Sequence, residues 1–317
     1  MTPIPKFDFL NTSPENRSRS GHHDRRFFYK YMNAGAAKIV LGTQKLRWSS
    51  PLLFNDPFDI TQELRLNFDD GQLTTALADR VALLIEQGNF LTSVEDPNLA
   101  YLFRVAMHAT PETRQVIVSN LRRGIQTTAS GSIQAFTPLK KKWSNIVPTF
   151  RILCLSELND ITPMWSRYAD EYKGVALEFS PVDELGSAFL SARPVVYQDT
   201  LPAIADVNSW VNCALGQGEL TYDYLFTEYL YVKTTAWSFE KEWRIVMLGA
   251  RPGESGLFRD YAFDPHELTG IYFGSKCSAG DRLDLIALLT HGLETVPAHE
   301  AFPDSHHARF RFRAVAR

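Results

Sequence analysis

Two glutamates, Glu240 and Glu242, stand one residue apart in the segment WSFEKEWR, Trp237 to Arg244. At the entrance to an apolar strand, side chains two apart share a face, so both carboxylates are expected side by side. Two like charges that close raise at least one pKa unless a cation or ligand compensates. Arg244, next on that face, is the expected cation. A second group lies in MWSRYAD, where Trp165, Tyr168 and, just beyond, Tyr172 recur at helical spacing beside Ser166, Arg167 and Asp170. Ser156 ends the strand before it. Aromatic rings beside hydroxyl and carboxylate groups hold flat heterocycles. The third group is FNDPFD, Phe54 to Asp59, where Pro57 fixes φ and Asn or Asp closes the turn. A loop so constrained can present Asn55 or Asp56 to a ligand. Each group also has a purely structural reading: a salt-bridged strand edge, a core aromatic face and a self-capped turn.

Other chemistry leaves no trace. The chain has no GxxxxGK[ST] loop, no GxGxxG after a strand, no HExxH and no GxSxG. Cys154, Cys213 and Cys277 are widely spaced and lack CxxC pairing, so they read as buried thiols in a reducing compartment. The pairs His22-His23 and His306-His307 lie near the ends, and no metal site is expected. The first 26 residues are polar, without the apolar run of a signal peptide, and no stretch offers the roughly 18 apolar residues of a membrane span. A cytoplasmic protein without a membrane partner is expected. A net charge of −3 gives no global field for nucleic acid. Locally, Lys140 to Lys142 and Arg309, Arg311, Arg313 and Arg317 are basic runs, most simply solvated faces.

The elements that must position these groups follow from periodicity. With 21 Phe, 12 Tyr and 6 Trp in 317 residues, the chain has the apolar material of a large core. After a polar arm (1–26), Phe27 to Tyr31 is short and aromatic, Asn33 to Leu41 is helical, and Lys45 to Ser49 alternates like a strand. Residues from about 69 to 135 have helical periodicity, with Thr110-Pro111-Glu112 as a helix start. Strands are expected at 151–156, 174–179, 194–197, 243–248, 270–273 and 308–315. Helices are expected at about 205–233 and 279–290. The fold class is therefore α+β, a mostly antiparallel bent sheet with a helical insertion in one domain over 27–317.

The motifs together resemble a widespread bacterial family known as domain of unknown function 2971. The resemblance rests on Tyr29-Lys30-Tyr31, KLRWSSPLLFNDPFD, LCLSELNDITPMWSRYADEYKGVALEF, WSFEKEWR and IYFGS, over roughly residues 27–290. That family brings no established activity. The order of parts is also similar to ADP-ribosyltransferase-like domains: a first strand with a polar or aromatic anchor, a middle strand ending in Ser or Tyr, and a late strand opening with a catalytic Glu, often in a Glu-x-Glu pair. That resemblance implies an enzyme acting on NAD as substrate, with Glu242 catalytic and Glu240 assisting. It places Tyr29, Lys30, Tyr31, Asn55, Asp56, Ser156, Trp165, Tyr168 and Arg244 around the dinucleotide, Trp165 and Tyr168 forming the stacking wall. The acceptor would be nucleic acid or protein, as in toxin or phage-defence effectors. The first strand lacks a central His or Arg, which Lys30 or Tyr31 would replace, and an STS triplet is absent.

Two other classes compete. A non-catalytic nucleotide- or protein-binding module would use the same groove without turnover. A metal-dependent nuclease would use Glu171-Tyr172-Lys173 with Asp56, Asp59 and Asp170 as Mg²⁺ ligands. The shared site carries a geometric requirement: Glu240 and Glu242 must lie within roughly 15 Å of Tyr168.

Overall fold

The computed structural model describes residues 23–61, 63–94, 96–124, 137–200, 203, 206–217, 229–249, 255–307 and 309–315. The polar arm up to residue 22, Arg317, and parts of the segments expected to be helical at 125–133 and 205–233 lie outside the described residues, as do the side chains of Lys142 and Cys213. The chain forms two compact units. Of the described residues, one takes those within 62–146 and 202–230; the other takes those within 23–61, 147–201 and 231–317.

The first unit is helical over Asp70–Glu86, Pro97–His108, Pro111–Gly124, Thr137–Ile146 and Val207–Ala214. Asp69 and Gln72 form a reciprocal capping box on the first helix. Asp96 caps the second, with Pro97 in its first turn. Val81, Ile85, Phe103 and Trp143 are buried. The helical segment thus extends beyond 69–135, and its share of the expected 205–233 helix is short.

The second unit is built on strands β1 (Phe28–Met32), β2 (Lys45–Ser49), β3 (Arg151–Ser156), β4 (Val175–Phe179), β5 (Arg193–Pro194), β6 (Val196–Tyr197), β7 (Val232–Lys233), β8 (Glu242–Met247), β9 (Phe258–Ala262), β10 (Leu268–Phe273), β11 (Ala298–Pro303) and β12 (Phe310–Ala314). Ten form one mixed, mostly antiparallel sheet in the order β12-β11-β10-β4-β1-β3-β2-β9, with β8 pairing β3 and β5. Among the described residues only β10 and β11 pair in parallel within it, while β6 and β7 form a separate parallel pair. The α+β class holds. Two interior strands, RILCLS and VALEF, are buried on both faces and therefore read as apolar runs rather than as alternation. β9 and β11 are too polar to announce themselves. Lys233, placed by periodicity at the end of a long helix, is in a strand.

Helix α1 (Ala34–Thr43) follows β1, with the Asn33 side chain accepting from the Ala36 N–H at 2.7 Å. It runs past the expected end at Leu41 to a left-handed cap at Gln44. Its Val40 and Leu41 join Leu153, Leu155, Leu177, Phe179 and Ile271 in the core. A six-residue helix α2 (Thr162–Arg167) joins β3 to β4.

Candidate functional site

The site forms where β1 and β2 part. β3 pairs with β8 along its whole length, but with β1 only at Tyr29↔Ser156 and with β2 only at Ser49↔Ile152. Between those points its free edge borders a cavity of about 280 Å³. Tyr29, Lys30 and Tyr31 of β1, Asn55 of the FNDPFD loop, Ser156, Tyr168, Glu240 and Glu242 all line it. Directly paired residues share a sheet face, so Tyr29 lies on the face of Ser156 and Glu242. Lys30 starts on the other face, and its ammonium threads the gap to the Cys154 carbonyl at 2.7 Å. The Tyr31 hydroxyl donates to the Leu158 carbonyl at 2.8 Å. All three first-strand residues therefore touch the cavity.

One wall is a buried charge network. Lys233 Nζ stands 2.5 Å from Glu240 Oε2, 3.0 Å from Glu242 Oε2 and 3.7 Å from Asp59 Oδ2. Arg244 donates from Nε to Glu242 Oε1 at 2.8 Å and grips Asp59 through Nη1 and Nη2 at 2.9 and 2.6 Å. All five side chains are buried. Removing one partner from such a network strands a charge in low dielectric, at a cost of about 3–5 kcal/mol. Three acids thus face two cations.

The two glutamates do not share one strand face. Glu240 ends a short 3-10 helix (Thr235–Glu240), Lys241 turns the chain with φ of 49°, and Glu242 opens β8. They converge because Lys233 bonds both. Their states differ. Burial alone would raise the Glu242 carboxyl, but Arg244 and then Lys233 outweigh it and hold Glu242 well below the usual carboxylate range. For Glu240, burial wins and its pKa is raised, with Glu242 pushing the same way and Lys233 opposing. Burial would lower Lys233, yet Glu242, Glu240 and Asp59 together raise it.

Tyr168, the C-cap of α2, donates to Glu240 Oε1 at 2.5 Å and accepts from Asn55 Nδ2 at 3.2 Å. The carboxylates therefore meet Tyr168 far inside the required 15 Å. Ser156 is fully buried, and its hydroxyl donates to the Glu240 carbonyl at 2.7 Å. It positions the backbone of the carboxylate pair.

Two expected contacts fail. Trp165 is not a stacking wall: it is fully buried, donates from Nε1 to the Asn159 carbonyl, and packs edge-on against Tyr31 and Phe310. The aromatic face breaks because α2 ends at Arg167 and Asp170, Glu171 and Tyr172 all take positive φ. Asp56 is absent from the cavity lining, and its Oδ1 accepts from the Phe58 N–H at 2.9 Å. Asp59, three residues on, is the loop acid that enters the network.

Lys233 went unrecognised as a site residue because its strand is two residues long. The signal was a charge deficit, since Arg244 alone could not balance the acids around it. The nuclease set is not gathered: Asp56 closes a turn, Asp59 binds Arg244 and Asp170 is exposed. Among the described residues no group of three His, Cys, Asp or Glu is placed to hold a metal ion. Nor, among them, is any helix long and apolar enough to cross a membrane.

Residues 164–245 match the family described as a protein of unknown function (DUF2971). The resemblance read from the motifs is borne out over that stretch, which runs from α2 through β8 and holds Tyr168, Lys233, Glu240, Glu242 and Arg244. No curated protein and no solved structure matches the chain.

Proposed function

We propose that the cavity binds NAD and that the protein is an ADP-ribosyltransferase-like enzyme. The observation that supports this most is the convergence of three separated segments on one cavity. β1 supplies Tyr29 to Tyr31, the end of β3 supplies Ser156, and the start of β8 supplies Glu242 with Glu240 beside it.

The chemistry follows from the two carboxyl states. When the nicotinamide–ribose bond breaks, its electron pair leaves with nicotinamide and positive charge develops on the sugar. Glu242, ionised and fixed by Arg244 and Lys233, is the preorganised anion that stabilises this charge. Glu240, with its raised pKa, takes the proton of the acceptor nucleophile as the new bond to the sugar forms. Tyr168 and Asn55 orient Glu240, and Tyr29 offers a half-buried ring to the cavity. Nucleic acid and protein both stay open as acceptor.

One observation favours the binding-module reading: both Glu242 oxygens are already engaged by Arg244 and Lys233. Nicotinamide release from NAD by the purified protein, beside Glu242→Gln, decides between them. Release by wild type, reduced about 10²-fold or more in the variant, is expected from loss of a transition-state contact. Folded protein that binds NAD but releases nothing would establish the binding module instead.

A further inference from the structure

The cavity has two chemically different ends, and β3 measures their separation. Ser156, at one end, pairs with Tyr29 and Glu242; Ile152, at the other, pairs with Ser49. Four residue steps of strand, about 13 Å, separate them. At the Ser156 end three acids face two cations. Away from that end the cavity is lined by Arg47 and Ser49 of β2, with Ser49 level with Ile152 and the Lys30 ammonium at Cys154.

These cations are not consumed as Lys233 is. Among the described residues, Lys30 meets a backbone carbonyl and no carboxylate. Arg47 is held as a rigid fork: Asp260 takes its Nε and Nη2 at 2.9 and 3.2 Å, and its guanidinium lies 3.8 Å over the Phe258 ring. That clasp leaves Nη1 donors for a ligand. Two cations against one acid make this the electropositive end.

We propose that Lys30, Arg47 and Ser49 form an anion subsite that takes the phosphate groups of a nucleotide whose glycosidic end lies at Glu240 and Glu242. The proposal rests on the nucleotide reading of the cavity and extends it: the phosphates, not the base, set the ligand's direction. Arg47 supplies planar donors to phosphate oxygens, Lys30 a point charge, and Ser49 a hydroxyl.

Calorimetric titration with ADP and with adenosine tests this without any turnover. Wild type is expected to bind ADP at least about tenfold more tightly than adenosine. Arg47→Met and Lys30→Met should each weaken ADP about tenfold and leave adenosine unchanged. Lys45→Met, on the same strand but outside the cavity lining, should bind ADP like wild type. ADP bound no better than adenosine, variants that bind ADP like wild type, or an equal loss in Lys45→Met would each overturn the subsite. Nicotinamide release, run in parallel, keeps the two ideas apart. Release without an ADP preference sinks the subsite alone, and an ADP preference lost in the Arg47 and Lys30 variants without release sinks only the cleavage reading.

Discussion

Lys233 sits where a metal ion or a cationic substrate group would otherwise balance the carboxylates, 2.5 to 3.7 Å from three of them. It helps Arg244 keep Glu242 ionised in a buried site, while burial raises the carboxyls of Glu240 and Asp59. The groups facing Glu240 are Lys233, Tyr168 and Glu242, with Tyr197, Asp59 and Arg244 around them. A carboxyl whose folded pKa is raised stabilises the fold below its unfolded value of about 4.3 and loses that contribution as pH rises through the folded value. Glu240→Gln, which keeps the neutral form at every pH, should therefore gain melting temperature relative to wild type as pH goes from about 4 to 8. The opposite slope would mean that the Lys233 ion pair, not burial, governs Glu240. Of this site, the residue types could be read but not their coupling. Glu240, Glu242 and Arg244 were legible as charges needing compensation. Lys233 was not, because a two-residue strand carries no periodicity.

Short elements place these residues, and they are where reading from sequence failed. The FNDPFD loop was legible as a constrained turn, yet its acids exchange roles: Asp56 closes the turn and Asp59 reaches Arg244. Which acid of a turn faces inward depends on packing that spacing does not encode. Helix α2 ends a residue before Tyr168, and three left-handed residues then carry the chain back to β4. That return is locked by Gly174 and Gly274, whose backbones hydrogen-bond at 2.9 Å. A Cβ on Gly174 would lie 2.2 Å from the Met32 carbonyl oxygen, and one on Gly274 2.1 Å from that of Tyr172. Since both obstacles are backbone, the chain itself must move, in β1 for Gly174 and in the turn before β4 for Gly274. Gly174→Ala should lose at least about 1–3 kcal/mol in urea unfolding, the cost of overpacking. An unchanged midpoint would show that β1 yields freely and that the close approach does not hold Tyr168 in place.

The whole molecule shows why the core was easier to read than the surface. Strands buried on both faces announce themselves by composition, whereas β9 and β11, with Arg, Asp, His and Glu in their sequences, do not. The same polar residues decide what the surface can attract. Arg309 and Arg311 lie within ion-pair distance of Asp304, and Arg313 bonds Glu300, which Arg282 also contacts. The C-terminal strand is thus a partly compensated face rather than a bare basic stripe, and the net charge of −3 adds no attraction. Were Arg309, Arg311 and Arg313 phosphate contacts, each would contribute about 0.9 to the slope of log affinity against log salt for duplex DNA. Replacing all three by Gln should instead change that slope by less than about 1, measured by fluorescence anisotropy on a short duplex. A change near 3 would restore the strand as a nucleic-acid contact and favour DNA as acceptor. The expected small change directs the search for the proposed acceptor to the mouth of the cavity, where Leu53, just before the FNDPFD loop, is exposed near Asn55.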